Sequence, residues 1–320
     1  MKILLTGACK YTEEHLSQIK DLGYDVDFIQ YESDSIDCQK YDGVVCNGLF
    51  LHHSIESFTN LKFIQLTSAG YDRVPLDYIK ENNIKIFNAA GVYSIPIAEH
   101  AVLKILEFYK KSRAFYEKQK RKEWDKECNI LELHGKKVAI IGCGNIGGEI
   151  AKRLKAFGTE ITAVDIHSVS NEYVDRFENI ENLKEVLKKS DIVILTLPLT
   201  DSTRGLINRE CFSVINRNCL LVNVSRGAVI NQADLIDALQ DGKLAGAALD
   251  VFEDEPLPQN NPLWDMENVI ITPHNSFVGE GNKDRLFRVI LGNLKLIERN
   301  LKNGQGRYQT NNESISLFAR

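Results

Sequence analysis

The segment that most restricts how this chain can fold is Lys137-Val138-Ala139-Ile140-Ile141 followed by Gly142-Cys143-Gly144-Asn145-Ile146-Gly147. A short apolar run enters three glycines at G-x-G-x-x-G spacing. Beyond it, Ile146, Ile150, Ala151, Leu154 and Phe157 recur at helical intervals, and Gly158 stands where such a helix would end. A strand that turns directly into a helix needs one glycine for the tight turn, one where backbone approaches a ligand, and one where helix packs on strand. Gly142, Gly144 and Gly147 occupy those places. The N–H groups at Asn145 and Ile146 open the helix and offer a phosphate free donors and the positive end of the helix dipole. A second strand, Ile161-Thr162-Ala163-Val164, ends in Asp165, eighteen residues beyond Gly147. A carboxylate there accepts hydrogen bonds from ribose hydroxyls and repels a 2′-phosphate, so the pattern reads as a dinucleotide site that favours NAD over NADP. A strand-end aspartate that merely caps a turn is the plainer alternative. S-adenosylmethionine sites use a similar turn and acid, but the third glycine and the residues downstream argue against them.

β-rich runs alternate with helix-period segments along nearly the whole chain, which is the pattern of parallel sheets covered by helices. Strands are expected at Lys2–Thr6, Asp25–Ile29, Gly43–Cys46, Phe63–Leu66 and Lys85–Asn88, with helices at Glu13–Asp21 and Leu76–Glu81. One longer helix is expected over Ile95–Lys111, carrying Ile97, Ala101, Leu103, Leu106 and Phe108 on its apolar side, with Pro96 tolerated in the first turn. Lys110–Lys126 is dense in charge and reads as solvated. A second alternating series runs from Lys137 to about Pro273, followed by a helix over Lys283–Leu301 and a polar tail from Asn303. With 320 residues, two domains are expected: one at 98–283, the other discontinuous, 1–97 completed by 284–320.

Three later strands each end in polar residues: Leu220-Leu221-Val222-Asn223-Val224-Ser225-Arg226-Gly227, Ala247-Ala248-Leu249-Asp250-Val251-Phe252-Glu253-Asp254-Glu255, and Val269-Ile270-Ile271-Thr272-Pro273-His274. Ligands bind at the C-terminal ends of parallel strands, so these segments bring an arginine, carboxylates and a histidine to one region. Singly, each has a plain explanation: a surface arginine in a turn, a solvated acidic loop, a buried histidine. Together, in this order and behind a dinucleotide loop, they do not.

With these segments in place, the chain resembles the D-isomer-specific 2-hydroxyacid dehydrogenases, a family that includes D-lactate, glycerate/hydroxypyruvate and 3-phosphoglycerate dehydrogenases. The resemblance also takes in Ser68-Ala69-Gly70-Tyr71-Asp72, Ala98-Glu99-His100 and Leu197-Pro198-Leu199-Thr200, and so nearly the whole chain. It implies two doubly wound α/β domains, a Rossmann NAD-binding domain and a flavodoxin-like substrate domain. It implies that Arg226 holds the substrate carboxylate and keto oxygen, that His274 is the acid/base, and that Glu255 is its partner. Pro198 and Asp250 would belong to the cofactor site, Asp250 at the nicotinamide end. Ser68, Ala69 and Gly70 would form the substrate loop, a small nest of backbone N–H groups, and Tyr93 would reach the substrate or pack. His100 lies among apolar residues and reads as supporting, not catalytic. Physical chemistry agrees with these roles: a guanidinium grips a carboxylate through paired hydrogen bonds, and reduction of a ketone requires a proton donor. One departure is Asn275-Ser276 after His274, where the family commonly has a small residue or glycine two positions on.

The resemblance implies NAD as cofactor, a small 2-keto or 2-hydroxy acid as substrate, and a homodimer. NAD-responsive co-repressors of the same fold are an alternative, disfavoured because no appended interaction segment is visible. Formate dehydrogenases are another, not expected to carry the partner present as Glu255. The chain ends soon after its last helix, so no regulatory domain is expected. A net charge of −5 gives no sign of a nucleic-acid partner. No run approaches the ~18 apolar residues of a membrane helix, and the N-terminus reads as a strand, not a signal peptide. Seven scattered cysteines, with no C-x-x-C pair, suit a reducing, cytoplasmic setting and offer no metal site.

Overall fold

The computed structural model describes residues 1–302 other than Val169. The polar tail expected from Asn303 lies outside the described residues. In chain order the first elements are β1 (Lys2–Thr6), α1 (Glu13–Asp21), β2 (Asp25–Ile29), β3 (Gly43–Cys46), β4 (Phe63–Leu66), α2 (Leu76–Glu81) and β5 (Lys85–Phe87). Then come α3 (Ser94–Tyr109), α4 (Ser112–Arg121), β6 (Lys137–Ile141), α5 (Asn145–Lys155), β7 (Glu160–Asp165) and β8 (Arg176–Asn179). The remainder are α6 (Leu183–Leu187), β9 (Ile192–Leu195), α7 (Arg209–Val214), β10 (Leu220–Asn223), α8 (Gln232–Gln240), β11 (Gly246–Leu249), β12 (Val269–Ile271) and α9 (Asn282–Lys302). Among the described residues no helix is long and apolar enough to cross a membrane.

Two compact units result, Ser94–Val278 and the combination of Met1–Tyr93 with the segment from Gly279. The seams fall a few residues before the expected 97/98 and 283/284. At the first seam, α3 already begins at Ser94, with Pro96 in its first turn, where a missing N–H costs nothing.

The first unit is built on a parallel sheet of order β2-β1-β3-β4-β5. Alternate residues of its strands enter opposite cores: Ile3 and Leu5 lie on one face, and Leu4 on the other. Because both of their faces are covered, the inner strands β1, β3 and β4 read as largely apolar runs. Helix α9 supplies Leu286, Phe287, Ile290, Leu294 and Ile297 to the first of these cores. Each such burial stabilises by about 1.5–3 kcal/mol.

The second unit holds a parallel sheet of order β12-β11-β10-β9-β6-β7-β8. The order reverses between β6 and β9, the crevice where open α/β sheets take ligands. Helix α3 packs on α5, and its buried stripe is Ile97, Ala101, Ile105 and Tyr109 with Ala98 and Val102. Leu103, expected on that stripe, is 49% exposed, because a four-residue step from Ile97 passes through Ala101 and Ile105 instead. Phe157, expected on the buried face of α5, lies past that helix's last residue and is largely exposed. The charged stretch after Lys110 is not simply solvated coil: it forms α4, a helix with no buried residue, whose Arg113 donates to the Val269 carbonyl at 2.9 Å.

Candidate active site

Gly142 follows β6 with φ +89, a left-handed conformation that side chains resist, and a Cβ there would lie 3.0 Å from the Leu197 backbone nitrogen. The Thr196 hydroxyl donates to the Gly142 carbonyl and so fixes the turn from the end of β9. At Gly147 a Cβ would meet the Gly142 oxygen at 2.6 Å, so α5 sits directly on its strand. Gly144 is exposed, faces open space, and begins α5 without a side-chain cap. The first N–H groups of α5, near Asn145 and Ile146, are thereby left for an outside acceptor. This cradle fits a pyrophosphate. Asp165 ends β7 and accepts from the Cys143 N–H at 2.9 Å and the Ile166 N–H at 2.8 Å. It therefore caps the turn and at the same time holds a negative charge beside it. Burial first, and the Asp165 charge second, push the Cys143 thiol up to about 11, so this cysteine is inert. Pro198 is exposed next to Leu197, and its carbonyl accepts from the Thr203 hydroxyl at 2.7 Å.

β10, β11 and β12 are neighbours in register, with Asn223 beside Leu249 and Leu249 beside Ile271. The residues that follow them therefore emerge on one edge of the sheet. After β10, buried Asn223 donates to the Arg226 carbonyl at 3.1 Å and accepts from the Ser225 N–H and hydroxyl. Arg226 is half-buried and donates to the Ser225 carbonyl at 2.8 Å. Gly227 touches the next loop so closely that a Cβ would stand 1.8 Å from the Phe252 carbonyl carbon. Only glycine permits that approach, which locks the Arg226 turn to the loop carrying Glu255.

In that loop the acidic run divides its work. Glu253 accepts from the Gln232 N–H at the start of α8. Glu255 accepts from the Phe252 N–H at 3.1 Å through one oxygen and holds His274 Nδ1 at 2.7 Å through the other. The pair is about two-fifths exposed, so it adds little to stability, and its value is in orienting the imidazole. His274 itself has φ +49, an uncommon conformation for a residue with a side chain, and Phe277 meets its ring edge-on at 6.0 Å. Strain of this kind gathers at functional sites.

Asp250 is 1% exposed. Its carboxylate accepts from the Thr272 hydroxyl at 2.6 Å, the Asn275 N–H at 2.9 Å and the Ser276 N–H at 3.0 Å. Asp250 thus organises the loop that presents His274, a task the resemblance did not suggest. The small Ser276 is buried against that anchor. Thr272, Asn223, Thr196 and Gly227 were not singled out from sequence. The one signal for Asn223 was a polar residue closing the run Leu-Leu-Val.

In the first unit, all four carbonyls from Thr67 to Gly70 accept hydrogen bonds, from the Tyr93 hydroxyl, the Ala89 N–H, the Asn88 amide and the Ser68 hydroxyl in turn. Tyr93 spends its hydroxyl on bracing this turn, and burial raises its pKa. Among the described residues no cluster of three or more His, Cys, Asp or Glu side chains is placed to hold a metal ion.

A parallel sheet that presents a phosphate cradle and a carboxylate-backed imidazole on one edge is the framework of a nicotinamide-dependent oxidoreductase. Comparison with known proteins narrows this class. Residues 102–276 match the model of the D-isomer specific 2-hydroxyacid dehydrogenase NAD-binding domain, and the chain belongs to that family. It is 34% identical to a glyoxylate reductase of Thermofilum pendens over 75% of this chain and 73% of that protein. It is 35% identical to a D-3-phosphoglycerate dehydrogenase of Methanocaldococcus jannaschii over 77% of this chain, a match that spans only 47% of that longer protein. Among solved structures, a D-lactate dehydrogenase of Aquifex aeolicus complexed with NAD and lactic acid superposes with a TM-score of 0.77 at 26% identity, covering 96% of this chain and 98% of that one. The Ser94–Val278 unit is accordingly an NAD-binding domain, and the protein is an NAD(P)-dependent oxidoreductase of 2-hydroxy acids.

Proposed function

We propose that the protein interconverts a small 2-keto acid and its D-2-hydroxy acid, with His274 as acid/base, Glu255 as its partner and Arg226 as the anchor of the substrate carboxylate. The observation that carries this reading is the 2.7 Å contact between His274 Nδ1 and Glu255 on the sheet edge that also bears Arg226. With Nδ1 committed to a carboxylate, Nε2 is the nitrogen that exchanges a proton with substrate oxygen. Arg226 grips the carboxylate in a planar fork. The bound dinucleotide supplies or accepts the hydride. Gly142, Gly144, Asn145, Ile146 and Gly147 would hold its pyrophosphate, Asp165 its ribose, and Pro198 and Asp250 would border the nicotinamide half. The Asp165 charge favours NAD over NADP.

The test is NADH oxidation over a panel of glyoxylate, hydroxypyruvate, pyruvate, branched 2-keto acids and 3-phosphohydroxypyruvate, for the native protein and Arg226→Lys. The lysine keeps charge but loses the fork, so kcat/KM should fall for every accepted acid while NADH binding is kept. Loss of NADH binding with an unchanged keto-acid KM would move Arg226 to the cofactor site.

We also propose a homodimer in a reducing, cytoplasmic compartment. Trp124, on the segment after α4, is 97% exposed, and large exposed apolar side chains of this kind favour a protein contact. All seven cysteines are free thiols. Light scattering of the native protein and of Trp124→Glu measures the first point: a monomer in both would remove it.

A further inference from the structure

We propose that His100 and Thr272 are positioning residues, which hold the Asp250 carboxylate and, through it, the left-handed turn that presents His274. The inference rests on the reading of His274 as the acid/base.

Proton accounting gives the direction of each bond. A carboxylate in this network only accepts, so the 2.6 Å contact from Thr272 to Asp250 uses the single hydroxyl hydrogen of Thr272. The Thr272 oxygen can then meet His100 Nε2, 3.1 Å away, only as an acceptor. His100 must therefore carry its proton on Nε2. Burial pushes its pKa below that of an ordinary histidine, and outweighs the attraction of Asp250, whose oxygen lies 3.8 Å from Nε2. Lys104 and Glu107, on the same helix, act on it with opposite signs. His100 is thus a neutral Nε2–H donor at neutral pH, at the head of a relay from α3 through Thr272 to Asp250.

The far end of the relay is the His274 turn. Asp250 receives the Asn275 and Ser276 N–H groups through its side chain, and its main-chain carbonyl receives the His274 N–H at 2.7 Å. The backbone is therefore tied to Asp250 on both sides of the imidazole. Without the Thr272 hydroxyl, the Asp250 oxygen that also accepts the Asn275 N–H loses its side-chain donor, the carboxylate is anchored only through the loop it is meant to hold, and His274 can relax away from φ +49 and from Glu255. Both ends of the relay lie within the Ser94–Val278 unit.

Two measurements test this. In a long-range 1H–15N correlation spectrum, the imidazole pattern that disappears in His100→Gln should be that of an Nε2–H tautomer between pH 7 and 8. An Nδ1–H pattern would overturn the relay whatever the activity. In steady-state kinetics, Thr272→Val should lower kcat on the order of 10- to 100-fold while the keto-acid KM stays within about threefold. Thr272→Ser, which keeps the hydroxyl, should restore kcat to within about threefold of native. Equal loss in the serine and valine variants, or a loss confined to KM, would assign Thr272 to packing alone. Should Thr272→Val fail to fold, His100→Leu paired with His100→Gln, whose amide still donates, gives the same comparison. Unchanged turnover in His274→Gln would refute the acid/base role, and the His100 tautomer would still decide the relay.

Discussion

The turn after β6 and the turn after β12 make the same demand on the backbone and meet it in opposite ways. Each needs a residue in the left-handed region on the edge that serves the site. At the first, Gly142 takes φ +89 at no steric cost. At the second, His274 takes φ +49 at a cost of about 1–2 kcal/mol, offset by hydrogen bonds from its loop to Asp250. The first turn requires close backbone approach and no side chain. The second must present an imidazole, so glycine is unavailable and the surroundings do the holding.

Exchange of the imidazole should produce the widest separation between the two turns. His274→Gln should lose on the order of 10²–10⁴ in kcat while NADH affinity is retained. Turnover and fluorescence titration of NADH, measured on one preparation, check both halves, and a variant that loses both would erase the distinction.

Gly142→Ala should show the opposite pattern. The left-handed cost of about 1–2 kcal/mol and the crowding at Leu197 should weaken NADH binding about tenfold or more. An alanine variant that binds NADH as the native protein does would show that this turn tolerates a side chain.

His274→Gly isolates the strain. The variant should be inactive, yet more stable in urea unfolding by up to about 1 kcal/mol, because relief of the left-handed cost exceeds the entropy glycine adds to the unfolded chain. Clear destabilisation would mean that His274 contributes packing, not strain.

The smallest effect concerns the support behind the second turn. His100 is harder to protonate in the folded protein than in the unfolded chain, chiefly because it is buried. The folded state therefore holds its full stability above the ordinary histidine value of about 6.5 and loses some as pH falls through the depressed one. In His100→Gln that acid-side loss should shrink. Urea midpoints for both proteins between pH 8 and 5 give the difference, and parallel curves would remove His100 as its source.

Much of this was legible in the chain itself. Most inner strands of both sheets appear as short apolar runs, and the Gly142 turn, the Asp165 carboxylate and the series Arg226, Glu255, His274 stand out by residue type and order. The helix α4 did not, since with no buried face it has no apolar period to read. The apolar side of α3 was misread at Leu103 because several spacings fit that run, and only packing against α5 and the sheet selects one.

The sequence alone therefore determined the local requirements: period two in strands, period 3.6 in helices, and glycine where a turn admits nothing else. Tertiary structure decided which polar residues hold the proposed catalytic ones. Asp250 reaches Thr272 across 22 positions, and His100 reaches Thr272 across 172. A hydrogen bond at such separation leaves no spacing in the chain, because its two ends are brought together by sheet order and helix packing. The same is true of His274, whose left-handed backbone looks ordinary in sequence and is held by Asp250 through both its carboxylate and its main-chain carbonyl.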